Sequence, residues 1–234
     1  IYAGFWGFYA ACNIPIIDIG AEGEVRMGTT NIYLMPTTLS AITFNFIMSL
    51  TGGLMAAYTV SRGDPFWTVS GGLAGIISAS AGNDLYHPLQ AMFIGASGAV
   101  IAYKLHHYVE RRFKIDDPVG AVAVHGYAGT WGLLVCGVLL WGYPAAPAAP
   151  EVQNWAGSVG WLGTTPAGDP AINPLGMLIG AILCFGVFGF LATYIVARVL
   201  KGMGILREPI EVELAGADTW RNQDIYPYSA GAVT

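Results

Sequence analysis

The segment KLHHYVERRFKIDDPVGAVAVHGYAGTWGLLVCGVLLW, residues 104–141, leads from a basic stretch through Asp116-Asp117-Pro118 into an apolar run carrying one histidine, His125. That order is what a helix leaving a membrane at a charged edge, followed by another entering it, would produce. An ionisable side chain inside a membrane-length helix is expensive and is by default a functional-site hypothesis. The rest of the chain reads as the wall around that histidine.

Composition agrees. The chain has 234 residues, 54% hydrophobic and only 11% charged, with mean hydropathy +0.54. A soluble domain carries roughly a quarter charged residues. Long apolar stretches separated by short polar ones are the pattern of a polytopic helical membrane protein. The net charge of −5 says little when charges are divided between two aqueous faces. No basic cluster is interleaved with exposed aromatics, so no nucleic-acid surface is expected. Cys12, Cys136 and Cys184 lie in apolar stretches without metal-binding spacing and read as packing residues. No metal or cofactor is expected. The 32 glycines, about twice the usual share of roughly 7%, suit close helix approach in a membrane bundle.

Six spans follow along the chain. The first covers Ile1–Ile17 and is short for a crossing. With no initiating Met and no signal-peptide pattern, the chain reads as the continuation, or one half, of something longer. An acidic loop with Asp18, Glu22, Glu24 and Arg26 comes next, then a span from about Asn31 to Val60 and a tight SRGDP turn. Spans over about Phe66–Ala81 and His87–Tyr108 lead to the basic ERRFK segment. Asp117 is placed to cap the fifth span, with Pro118 as its first residue, and that span ends near Trp141. A Pro/Ala/Gly-rich loop, 142–173, precedes the sixth span, about Pro174–Val199. The expected division is a membrane part, 1–200, and a polar tail, 201–234. With alternating spans, every Lys and Arg except Arg26 falls on one side, so the basic loops and the C-terminus are expected in the cytoplasm.

A helical period of 3.6 puts Ala121, His125, Gly129 and Gly132 on one face, small apart from the imidazole. Neutral imidazole has one donor and one acceptor nitrogen, so it suits handing on a small polar solute; the alternative is a buried histidine bonded to a neighbouring helix. His87, His106 and His107 read as interfacial residues, and Asp116 and Asp117 as caps. Phe5, Trp6, Phe8 and Tyr9 read either as an interfacial belt or packing, or as aromatic faces for a small cation. No P-loop, GxSxG or HExxH is present, and an enzyme is not expected.

DDPVGAVAVHGYAGTWG, Asp116–Gly132, resembles the signature DDPxxxxxVHGxxGxxG of the ammonium transporter (Amt/Mep/Rh) family. GFWGFYAAC, Gly4–Cys12, is similar to the family's GWFGFNxGS helix, MGTTNIYLMPTTLSA to the helix after it, and GADTWRNQDIYPY to a GLDxxxHGExAYP ending. The resemblance covers essentially the whole chain. It implies an all-α membrane protein, a bundle of about six transmembrane helices matching the second half of an eleven-helix fold made of two five-helix inverted repeats and a final helix. It further implies a homotrimer in the plasma (inner) membrane, ammonium or ammonia as substrate, lipid contact, and a PII-type regulator as a possible partner. Position by position, His125 matches the second of two facing pore histidines and Phe8 the inner gate phenylalanine, with Phe5 beside it. Cys12 stands where the family has a recruiting serine. Tyr9 in place of asparagine, Cys12 in place of serine and Asn222-Gln223-Asp224 in place of His-Gly-Glu depart from the pattern. Two functions are therefore expected. In one, the chain supplies the second half of an ammonium pore and pairs with the other half. In the other, it is a non-conducting accessory subunit within a larger membrane complex; a third reading, an ammonium sensor signalling through the tail, ranks last.

Overall fold

The computed structural model describes residues 1–12, 17–19, 25–27, 38–142, 171–207, 210 and 212. The chain divides into two units, Ile1–Ile182 and Leu183–Thr234. In the first, α1 (Tyr2–Cys12) precedes a short antiparallel pair, β1 (Ile17–Ile19) and β2 (Val25–Met27), in the register Ile17↔Met27. The segment expected as an acidic loop therefore contains a two-stranded ribbon. Then come α2 (Leu39–Ser61), α3 (Pro65–Ala79), α4 (Pro88–Phe113), α5 (Val122–Leu139, π-helical to Tyr127) and α6 (Pro174–Ala181).

Turn chemistry sets the boundaries. Thr38 caps α2 by accepting from Ala41 N. At its other end Arg62 and Gly63 take left-handed conformations, φ 58° and 87°, and Gly63 N donates to Tyr58 O at 2.8 Å. The SRGDP turn then becomes a cap: Asp64 Oδ1 accepts from Trp67 N at 2.8 Å with Pro65 in the first turn. His87 is likewise a cap rather than only an interfacial residue. Its Nδ1 accepts from Leu89 N at 3.2 Å, and Gln90 Oε1 accepts from His87 N at 2.9 Å. Asn173 caps α6 through Gly176 N at 2.7 Å.

Helices α2, α3 and α4 pack at backbone distance. A Cβ on Gly95 of α4 would collide with the Ser49 backbone of α2, and one on Gly53 of α2 with the Gly71 backbone of α3. Small residues at crossings are what allow this approach in lipid. Several polar donors inside are tied to backbone carbonyls. Asn45 Nδ2 donates to Asn83 O and Tyr86 O, each at 2.7 Å, and Asn83 Nδ2 donates to Ile42 O at 3.2 Å. Ser78 Oγ lies within hydrogen-bonding distance of Ala74 O (2.8 Å) and Ala128 O (3.1 Å), joining α3 to α5.

Among the described residues, three helices are long and apolar enough to cross a membrane: Leu39–Ser61, Val122–Leu139 and Pro174–Gly202. The other expected spans are helical but shorter or more polar. α1 has 11 described residues and α3 has 15, while α4 has 26 and ends in the basic segment. The expected start of the second span, 31–37, most of the Pro/Ala loop, 143–170, and most of the tail lie outside the described residues. The second unit continues a π-helical stretch, Ile182–Leu191, into α7 (Ala192–Gly202). Its Phe188, Phe190, Ile195 and Val199 are exposed, as lipid-facing side chains are.

Candidate functional site: the His125 turn and the first helix

The Asp-Asp-Pro turn differs from a simple capped helix start. Gly120 N donates to Asp117 O at 2.9 Å, closing a turn over Pro118 and Val119. Gly120, at φ 66°, is the residue that lets the chain reverse there. Pro118 thus lies in the turn and does not open the helix. Asp117 still caps, from further away: its Oδ2 accepts from Ala123 N at 3.0 Å. Asp116 is exposed.

From Val122 to Tyr127 the backbone is π-helical, and Ala128 N donates to Ala123 O five residues back. His125 sits inside this turn. Single π turns in helices recur at functional sites. The wide turn also breaks the face expected from a 3.6-residue period. Ala121 and His125 are exposed, whereas Gly129 and Gly132 are buried, and a Cβ on Gly132 would collide with the Ser78 backbone. An i→i+5 bond takes up about one residue more per turn than the 3.6 of an α-helix, so the phase shifts between His125 and Gly129. The imidazole is thereby turned off the packed α3 side. Val122, three residues before it, is exposed as well. Sequence reading did not single out Val122; its spacing from His125 was the available signal.

On α1, Tyr2, Phe5 and Tyr9 face inward and pack with Ile42, Phe46, Leu50 and Ile76. Tyr9 is buried, and its hydroxyl bonds to Ile76 O at 2.5 Å and to Ser80 Oγ. Tyr2 OH donates to Val69 O at 2.5 Å and Trp6 Nε1 to Thr43 Oγ1 at 3.0 Å. These aromatics hold the helix in place. Phe8 is different: it is exposed and meets Phe5 and Tyr9 edge-on, with centroids 6.4 Å away in both cases. Ile1, Gly4, Phe5 and Phe8 line an apolar hollow of about 520 Å³. The structure therefore brings Phe5 and Phe8 together and leaves His125 exposed on a separate helix. Among the described residues His125 has no hydrogen bond or ring contact to them. The side chain of Cys12 lies outside the described residues.

Apolar membrane-length helices and glycine-lined crossings define an integral membrane protein of polytopic helical build. The sequence profile described as Ammonium Transporter Family matches residues 1–225. The chain is 29% identical over 223 residues to an ammonium transporter of Corynebacterium glutamicum, covering 88% of this chain and 44% of that protein. It is 27% identical over 218 residues to the ammonium transporter Amt1 of Methanocaldococcus jannaschii, with coverage of 88% and 49%. A putative ammonium transporter of Synechocystis is 35% identical over 131 residues, 51% of this chain and 22% of that protein. The chain belongs to the ammonium transporter family. It spans about half the length of the curated relatives it matches.

Proposed function

We propose that the chain supplies the second half of a pore that carries ammonium or ammonia across the plasma membrane, with its C-terminal tail, 201–234, in the cytoplasm. The observation that carries this reading is His125, the one histidine inside a membrane-length helix, which stands exposed on a π turn with no hydrogen bond among the described residues; Phe8, exposed beside Phe5 on the α1 hollow, supports it. A polar side chain that costs free energy in lipid and has no hydrogen bond among the described residues, as His125 has none, suits a lumen or an interface with the other repeat. Phe5 and Phe8 form the aromatic element of the pathway, His125 the polar one, and Cys12 the weak donor at the end of α1. Such a pore forms only with the complementary half, and the whole assembles as a homotrimer. A PII-type regulator would act at the tail.

The test is ammonium-evoked current in proteoliposomes holding the complete protein, with this sequence and its complementary half. Current is expected, and His125→Ala is expected to change its size or ion selectivity. Complete protein that gives no current overturns the reading. So does purification of the chain in fixed stoichiometry with unrelated membrane subunits, which would make it the accessory subunit.

A further inference from the structure

We propose that His106, His107 and Glu110, at the end of α4, form a binding site for a divalent transition-metal cation of the Zn²⁺ class. The proposal is independent of the transport reading. The three side chains follow from one helical turn: residues three and four apart are neighbours on a helix surface, so Glu110 lies below both imidazoles. Its Oε2 is 3.5 Å from His107 Nδ1 and 3.8 Å from His106 Nε2, and all three donor atoms lie within 4.8 Å of one another. A tetrahedral ion with bonds of about 2.0–2.1 Å holds its donors about 3.3 Å apart. The two Glu110 contacts need only a few tenths of an ångström, and the widest donor separation, up to 4.8 Å, closes by up to about 1.5 Å through imidazole rotation.

The surroundings resemble those of a metal ligand rather than of a surface ion pair. His106 offers Nε2 to the site, and its other nitrogen, Nδ1, faces Asp117 Oδ2 at 3.6 Å. Metal-bound histidines almost always give the second ring N–H to such an acceptor, which fixes the tautomer. The rings are held edge-on by aromatics. Trp67 stands 4.6 Å from His106, Tyr103 4.6 Å from His107, and the two imidazoles 5.0 Å from each other. The side chain of His106 is 11% exposed and that of Glu110 48%, so the site has an inner wall and an aqueous mouth. The nearby cations are engaged elsewhere: Arg111 Nε donates to His107 O at 3.0 Å, and Arg112 lies over Phe113. Among the described residues no Lys or Arg pairs with Glu110. Two imidazoles and a carboxylate suit Zn²⁺, Co²⁺ or Ni²⁺ and not Mg²⁺ or Ca²⁺. An ion bound at Nε2 would also polarise the His106 Nδ1–H toward Asp117, the carboxylate that caps the His125 turn.

The experiment uses tag-free complete protein, stripped of metal by a chelator and titrated with Co²⁺ while its visible d–d bands are followed. Zn²⁺ then competes for the same site. One saturable Co²⁺ site per chain is expected, displaced by Zn²⁺. His107→Gln and Glu110→Gln should each weaken it about 10-fold or more, with Asp117→Asn losing about 10–100-fold through the supporting contact. Asp117 also caps a helix, whereas His107 and Glu110 do not, so those two variants decide the matter if Asp117→Asn fails to fold. Absence of saturable bands overturns the proposal, as does equal affinity in wild type, His107→Gln and Glu110→Gln.

Discussion

The α2–α3–α4 core and the α1–α5 surface are built from similar residues and treat them in opposite ways. In the core, glycines vanish under neighbouring backbone, and Asn45, Ser78 and Asn83 spend their donors on carbonyls of other segments. On the surface, a phenylalanine, a valine and a histidine of the same chain are exposed. In the core the amide nitrogens of Asn45 and Asn83 are placed on backbone carbonyls, as lipid offers no partner, while Asn45 Oδ1, Asn83 Oδ1 and the Tyr86 hydroxyl are buried with no hydrogen-bond partner among the described residues. His125 and Val122 are exposed together on α5, and Phe8 separately on α1; the proposed pathway assigns them to a passage.

That contrast is most sharply broken by filling the core. Gly95→Val would drive two methyl groups into the Ser49 backbone, which belongs to a packed helix and not to a flexible side chain. The expected loss is about 3 kcal/mol, the upper end for overpacking, read as a large fall in Tm in detergent. An unchanged Tm would mean that α2 and α4 are not in backbone contact. Tyr9→Phe comes next. It keeps the ring packed on Phe46 and removes the hydroxyl that bonds Ile76 O and Ser80 Oγ. A loss of about 1 kcal/mol is expected by the same measurement, because a buried hydrogen bond is removed while Ser80 Oγ still donates to Ile76 O.

Much of this division was legible in the sequence, and the rest was not for identifiable reasons. Apolar runs and the SRGDP and Asp-Asp-Pro breaks locate the helices, because hydropathy and turn chemistry act locally. The start of α5 was misplaced by a few residues, since Asp117 reaches Ala123 N across a turn made possible by Gly120. The shared face of His125, Gly129 and Gly132 was read from a 3.6-residue period that the π turn interrupts. Nothing in local composition announces an i→i+5 bond. Tyr9 was weighed as belt or pore, because an aromatic's hydroxyl partner 67 residues away leaves no trace in its own helix. His106 and His107 were read one at a time as interfacial, and their common partner, Glu110, appeared only with the geometry.

A smaller effect separates the core from its own edge. Asp84, in the turn between α3 and α4, has its carboxyl pushed above the ordinary value of 3.8 by burial, partly offset by a bond to its own backbone. An acid raised in the folded state makes that state bind more protons. Stability is therefore greatest below the unfolded pKa and falls as pH rises through the raised native value. Asp84→Asn cannot ionise, so its stability should match the wild type near pH 4 and exceed it at neutral pH. Unfolding curves across that range test this; a parallel pH dependence in both proteins would refute it.

The smallest expected effect on stability belongs to the surface. In this chain alone Phe8→Ala and His125→Ala remove side chains that are exposed, and substitutions away from packed features usually stay within about 0.5 kcal/mol. Tm should hardly move for either, whereas the same substitutions in the complete protein should change ammonium-evoked current. A fall in Tm as large as that of Tyr9→Phe would place Phe8 or His125 among the packed residues and remove the basis for assigning them to a pathway. Stability that is indifferent in this chain but sensitive in the proposed complete pore would instead place the exposed set under a covering partner. Conduction would then depend on how much lumen that covering leaves around the imidazole.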